Sequence, residues 1–198
     1  MLKHLLISLA FLMTLSSPVA AQDWDKGFAA YKAGDFATAL KEWQPLAKQG
    51  DVRGQFALGH MYEDGEGLPK DYAEAVKWFR LAAEQGYDKA QARLGSMYDN
   101  GEGVPQDYKE AVKWYRLAAK QGNDDAQLDL GILYLHGDAV LQDNVMAHMW
   151  FNLGATNGNP MARQLRGDIS EKMSNAAIEK AQAMARECMS SGYERCGS

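Results

Sequence analysis

Residues 51–86 read DVRGQFALGHMYEDGEGLPKDYAEAVKWFRLAAEQG, and residues 87–122 read YDKAQARLGSMYDNGEGVPQDYKEAVKWYRLAAKQG. About 22 of the 36 aligned positions are identical, which is far more than a shared composition would produce. Each segment has two runs of apolar residues at helical spacing, separated by a Gly-Glu-Gly turn and a proline. The stretch therefore predicts a repeating pair of antiparallel helices.

The same period continues on both sides of this stretch. Residues 123–158 keep its phase but have Ala139 in place of the second loop glycine and Leu141 in place of the proline. Residues 22–50 follow the phase with a shorter loop, whereas residues 159–198 lose it. The end units of a solenoid are atypical because one of their faces must tolerate water. We therefore expect a helix pair at 22–50, repeats at 51–86, 87–122 and 123–158, and capping helices at 159–198.

The first 21 residues have the features of a secretory signal peptide. Lys3 and His4 form a short positive region, the apolar run 5–15 follows it, and small residues lead to Ala21. The run is too short to span a bilayer, so we expect cleavage after Ala21, with a retained membrane anchor as the alternative. Cleavage predicts a periplasmic or secreted protein without stable membrane insertion.

The residues shared by the copies resemble those of the Sel-1-like repeat family. In the first copy they are Leu58, Gly59, Tyr62, Gly65, Gly67, Asp71, Ala75, Trp78, Phe79, Ala82, Ala83 and Gly86, and the set recurs from Leu94 to Gly122. The resemblance implies an all-α fold, namely an α-solenoid with a right-handed superhelix of antiparallel helix-turn-helix repeats similar to tetratricopeptide units. It also implies an adaptor or scaffold that binds other proteins.

Bulk properties and motifs narrow the possible functions. The formal net charge is -5 with no basic block, which argues against nucleic-acid binding through phosphate neutralisation. The chain outside residues 1–21 lacks H-E-x-x-H, G-x-S-x-G, S-x-x-K and a glycine-rich phosphate loop. We therefore expect no catalytic residue, no metal and no cofactor. Some cysteine-rich relatives resemble β-lactam-binding proteins, but their one disulfide per repeat is not present here.

Cys188 and Cys196 are the only cysteines of the chain. In an oxidising compartment such a pair is typical of a disulfide, which would tie the tail to the last helix. A redox site and a zinc site are the alternatives, and neither a C-x-x-C motif nor a nearby histidine supports them.

Trp78, Trp114 and Trp150 recur with the repeat and allow two interpretations. They could form a ladder of aromatic rings for a ligand, or they could fill the space between helices. Their helical spacing favours the second interpretation.

The first helix of each repeat, helix A, has positions that flank its packing residues and differ between copies. In a tetratricopeptide-like solenoid these positions line the concave face, and we interpret them as a binding surface for a protein or peptide. The candidates are Arg53, Phe56, His60, Glu63, Lys89, Ala92, Ser96, Asp99, Asp125, Leu128, Ile132 and Leu135. The alternative is a solvated face whose residues drift freely. Leu128, Ile132 and Leu135 form an apolar stripe that is either a groove or covered by the C-terminal helices.

These observations give one leading functional hypothesis and two alternatives. The leading hypothesis is an exported, non-enzymatic adaptor that binds its partner in the concave groove. The first alternative is β-lactam binding or weak hydrolysis, which rests on family analogy alone. The second is a periplasmic regulator that holds the outer domain of a sensor kinase inactive.

Overall fold

The computed structural model describes residues 23–138 and 140–196, and within them it contains ten α-helices and no strand. The signal-peptide prediction for residues 1–21 lies outside the described residues. In the part described, no helix combines the length and the apolar character needed to cross a membrane. The helices are α1 (Trp24–Lys32), α2 (Phe36–Lys48), α3 (Val52–Asp64), α4 (Tyr72–Glu84), α5 (Asp88–Asn100), α6 (Tyr108–Ala119), α7 (Asp124–His136), α8 (Asn144–Asn157), α9 (Pro160–Ser170) and α10 (Asn175–Ser190).

Successive helices pack as four hairpins, which are stacked in the order of the chain. The hairpins are α1 with α2, α3 with α4, α5 with α6 and α7 with α8, and each second helix also packs on the first helix of the next hairpin. The last two helices differ, because α9 and α10 both pack against α8. The fold is therefore an all-α solenoid, as predicted, and its C-terminal end is closed by two helices that both pack on α8.

The repeat sequence produces these hairpins through caps that recur with it. The carboxylate of Asp71 accepts the backbone N–H of Glu74 at 3.0 Å, and Asp107 accepts that of Glu110 at 3.1 Å, so the second helix of each of these hairpins begins at the same place. Helix α5 ends at Gly101, whose φ of 73° is a left-handed conformation that glycine adopts without strain.

Glycine in helix A makes room for an aromatic ring of the helix that follows. A Cβ atom on Gly95 would lie 2.7 Å from the ring of Tyr115. A Cβ atom on Gly59 or Gly131 would clash in the same way with the ring of Phe79 or Phe151. These three rings are among the most deeply buried side chains of the described chain. The residue after each repeating tryptophan is thus the main core aromatic.

The repeating tryptophans themselves differ in burial. Trp150 is buried under the C-terminal helices, whereas Trp78 and Trp114 are half-buried and pack on the core clusters of the preceding hairpins. All three contribute to packing between units, which agrees with the second interpretation of their spacing.

Side-chain amides link the units in a way that the sequence analysis did not foresee. Buried glutamines at the start of helix A donate to carbonyl groups at the end of the preceding helix, as in Gln55 to Ala47, Gln91 to Ala83 and Gln127 to Ala119. Each of these glutamines in turn accepts a hydrogen bond from a side-chain amide at the end of the second helix of its own hairpin. These bonds run from Gln85 to Gln55, from Gln121 to Gln91 and from Asn157 to Gln127, at 2.7–2.9 Å. We call this series the amide ladder. It satisfies buried polar groups that would otherwise be costly.

The C-terminal tail covers the end of the amide ladder. Cys188 is fully buried in α10 and lies within disulfide distance of Cys196, with 4.6 Å between their Cα atoms. Between them, Tyr193 has a φ of 68° and donates its hydroxyl to the side-chain oxygen of Asn157 at 3.1 Å. The cysteine pair therefore holds Tyr193 against the last rung of the ladder.

Candidate functional site: the helix-A groove

Helices α3, α5 and α7 lie side by side and form an open groove of about 560 Å³. One stripe of each helix faces the groove, since the residues recur at three- and four-residue intervals. The lining residues are Phe56, His60, Lys89, Ala92, Arg93, Ser96, Asn123, Asp124, Asp125, Leu128 and Asp129. We call this surface the helix-A groove.

The predicted helix-A positions divide into three groups in the structure. Those that line the groove are Phe56, His60, Lys89, Ala92, Ser96, Asp125 and Leu128. Those that lie against the C-terminal core are Ile132 and Leu135, which are half-buried, so the apolar stripe is split between groove and core. Arg53 lies near the N-terminal end of the groove, and Asp99 lies next to its acidic end.

Glu63 does not fit the interpretation as a partner contact, because its side chain is only 4% exposed. Both of its carboxylate oxygens accept the Arg93 Nε–H, at 2.8 and 3.0 Å, and His60 Nδ1 lies 3.2 Å from Oε2. Burial opposes ionisation of Glu63, but the hydrogen bonds from His60 and Arg93 outweigh it and keep its pKa below the ordinary value. The pair ties α3 to α5 beneath the groove.

Sequence reasoning missed Arg93 and Asp129, which both line the groove. They occupy the position of Ala57 in the first repeat, 36 and 72 residues earlier. Ala57, Arg93 and Asp129 differ in chemical type at one aligned position, and such variation between repeats is the criterion by which the other binding positions were chosen. This position is easily missed in the sequence because it lies next to the packing residues Leu58, Leu94 and Leu130.

The C-terminal end of the groove is rich in carboxylates. Burial, followed by the neighbouring charge of Asp99, raises the pKa of the half-buried Asp129 to about 7, although a hydrogen bond with Tyr115 acts in the opposite direction. Burial also raises the pKa of Asp99, whose carboxylate lies 3.4 Å from the Tyr115 hydroxyl. Burial likewise raises the pKa of Asp125, and the neighbouring charge of Asp124 raises it further. These carboxylates lack a cationic partner strong enough to offset their desolvation.

Next to the N-terminal end of the groove lies an apolar pocket of about 240 Å³ between α1 and α3. Its walls are Trp24, Phe28, Tyr31, Trp43, Phe56, Ala57, His60 and Tyr87, and we call it the aromatic pocket. The rings of Trp24 and Trp43 are stacked with centroids 5.0 Å apart, and Phe56 packs edge-on against Tyr87 at 5.0 Å. Phe56 and His60 line both surfaces, so the pocket and the groove are adjacent.

No metal site accompanies the groove in the part of the chain that the structure describes, since no three His, Cys, Asp or Glu side chains there are grouped to hold an ion. The surface is instead an elongated channel with aromatic rings at one end and carboxylates at the other.

The stacked hairpins and the groove across their first helices define a helical-repeat solenoid with an open groove on one side. The Sel1 repeat family matches at residues 52–87, 88–123 and 124–159, and the chain belongs to this family. The resemblance predicted from the sequence is therefore confirmed. The matched segments begin one residue after the boundaries that we placed at 51, 87 and 123.

Two solved structures are similar to this chain. One is a protective antigen present in uropathogenic Escherichia coli strains that displays an SLR fold, with 36% identity and a TM-score of 0.74 over 84% of this chain. The match covers 37% of that antigen, so this chain spans little more than a third of its length. The other is a Sel1 repeat protein from Oxalobacter formigenes, with 29% identity and a TM-score of 0.71, covering 86% of this chain and 78% of that one. A comparison with curated proteins finds no match.

Proposed function

We propose that this protein is an exported, non-enzymatic adaptor that binds a protein or peptide partner in the helix-A groove. The observation that carries the proposal is the composition of the groove wall. Its residues occupy aligned positions that differ between repeats, such as Phe56, Ala92 and Leu128, whereas packing residues such as Leu58, Leu94 and Leu130 are the same in each repeat.

The shape of the groove supports binding of a polypeptide. It is open along its length and crosses three helices, as expected for a surface that receives an extended segment or a helix. Its wall mixes rings, cations and carboxylates, so one scaffold offers a separate contact for each part of a bound chain.

Two features support export. The chain begins with a segment that has the composition of a signal peptide, and its only two cysteines lie at disulfide distance in the structure. Disulfides persist in oxidising compartments such as the bacterial periplasm or the exterior. A periplasmic or secreted location is part of the proposal.

Site-specific photo-crosslinking tests the proposed binding surface. A photoreactive amino acid would replace Lys89, which is exposed in the groove, and in a matched control it would replace Leu117, which is 47% exposed on α6 and does not line the groove. In cells that produce the full chain, we expect a discrete crosslinked partner from position 89 and none from position 117.

A second variant separates binding from folding. Ala92→Trp fills the middle of the groove from a half-buried position, so it should remove the crosslink from position 89 while the helical circular dichroism is retained. A crosslinked partner that appears equally from both positions, or that persists in the filled groove, would contradict the proposed function.

A further inference from the structure

The helix-A groove and the aromatic pocket together specify the chemistry of the partner. We infer that the ligand is an extended peptide segment that inserts an apolar side chain into the aromatic pocket and places a lysine or arginine, about six residues away, between Asp125 and Asp129. This inference rests on the proposed function and deepens it.

The aromatic pocket is suited to an apolar side chain. Its walls are almost entirely aromatic rings. One of them, Phe28, is 46% exposed, so an apolar ligand side chain that covers this ring would remove apolar surface from water, which is favourable. The cations at this end already lie over rings, because the Arg53 guanidinium is 4.8 Å from Trp24 and the Lys32 ammonium is 5.5 Å from Phe28. A basic ligand side chain is therefore disfavoured at the pocket, and an apolar one is favoured.

The opposite end of the groove attracts a cation. Asp124, Asp125 and Asp129 face the groove from α7, whereas the charge of Arg93 is neutralised by Glu63 and only Lys89 remains on the facing wall of α5. A carboxylate that is partly withdrawn from water without a cation is destabilised, and an incoming ammonium or guanidinium relieves that cost. The charge complementarity selects a basic side chain.

The geometry sets the spacing of the two anchors. The aromatic pocket borders α3 and Asp129 lies on α7, which is two first helices further along; at about 8–10 Å for each step, the two ends are roughly 20 Å from each other. An extended chain advances about 3.3 Å per residue, so about six residues span that distance.

The titratable and charged groups that face Asp129 predict the pH dependence of binding. They are Asp99 and Arg93 on α5, Tyr115 on α6 and Asp125 on α7 itself. The raised pKa of Asp129 means that its carboxyl is partly protonated near neutral pH, and the basic side chain binds the ionised form. Affinity for a basic peptide should therefore rise several-fold between pH 6 and pH 8.

A phage-displayed library of random dodecapeptides, selected against the immobilised full chain, tests the inference. We expect enriched peptides to combine a Phe, Trp, Leu or Met with a Lys or Arg five to seven positions away. The strongest peptide would be synthesised with a fluorescent label and its affinity measured by anisotropy. The double variant Asp125→Asn and Asp129→Asn should weaken it by about tenfold or more, as expected for loss of a charge-assisted contact, and Phe28→Ala should also weaken it.

Controls separate failure of the inference from failure of the proposed function. Asp168→Asn makes the same change on an exposed part of α9 outside the groove and should leave the affinity unchanged. Enriched peptides that bind the groove but are acidic or show no charge preference would overturn the inference and leave the proposed function standing. Peptides whose affinity is unchanged by Ala92→Trp and by Phe28→Ala would contradict both the inference and the proposed function. A dimer that the same groove variants dissociate would assign the groove to a second copy and would also overturn the inference.

Discussion

Asp129→Asn should make the protein more stable above neutral pH, although it removes a charged group from the proposed binding surface. The pKa of Asp129 is raised from 3.8 to about 7, chiefly by burial and then by Asp99. A shift of about three units corresponds to about 4 kcal/mol at 1.36 kcal/mol per unit. The side chain is only half-buried, so solvent screening reduces the expected effect to about 2 kcal/mol.

The sign follows from proton binding. An acid whose pKa is higher in the folded state binds more protons there than in the unfolded chain, so the parent loses stability as the pH rises from about 4 to about 7. Asparagine has nearly the same shape and cannot ionise, so the variant lacks this loss. The difference between variant and parent should be near zero at pH 3.5 and should reach its full value by pH 8.

Urea denaturation followed by circular dichroism at several pH values measures the effect, with the slope of each transition checked for constancy. Asp168→Asn is the matched control, because Asp168 is exposed and should show no such trend. If Asp129→Asn is no more stable than the parent at pH 8, or if the difference does not grow with pH, then Asp129 has a compensating cation and the argument for a cationic ligand fails.

Two further predictions concern the scaffold. Gly95→Ala places a methyl group 2.7 Å from the Tyr115 ring and should lower the free energy of unfolding by about 1–3 kcal/mol. Gly167→Ala is the control, because its methyl group meets no atom within 4 Å and should leave the free energy of unfolding unchanged or raise it by up to about 1 kcal/mol. Equal effects of the two substitutions in thermal melts would contradict the role of Gly95 in packing. Replacing Cys188 and Cys196 by alanine should lower the free energy of unfolding by about 2–3 kcal/mol. Two free thiols in the exported protein, found by non-reducing mass spectrometry, would contradict this prediction because no disulfide would then be lost.

The fold could be predicted from the sequence because each hairpin is specified locally and the specification is repeated. Caps such as Asp71 and glycines such as Gly95 act within one hairpin, so two copies of a segment identify them. The packing of both α9 and α10 on α8 was not predictable in this way, since residues 159–198 have no second copy to compare.

Most of the predicted helix-A positions line one groove, and the exceptions come from contacts between repeats. Glu63 was assigned to the concave face as a partner contact, but it pairs with Arg93, which lies 30 residues away in the next unit, and nothing at position 63 reveals that pairing. The amide ladder has the same origin, because Gln55, Gln91 and Gln127 each donate to a carbonyl group of the preceding unit, eight positions earlier. A search for polar residues that recur with the repeat would have found the glutamines, whereas the ion pair occurs once.

The tail that places Tyr193 on Asn157 also determines where the protein can be lengthened. Every other rung is followed by a further hairpin, whereas the last rung is contacted by the Tyr193 hydroxyl, which the paired Cys188 and Cys196 hold in place. Copies appended after residue 193 would meet a last rung that Tyr193 already contacts. Extra 36-residue modules would instead have to enter between residues 86 and 87, where both flanking faces already match, and each would add one more first helix to the channel.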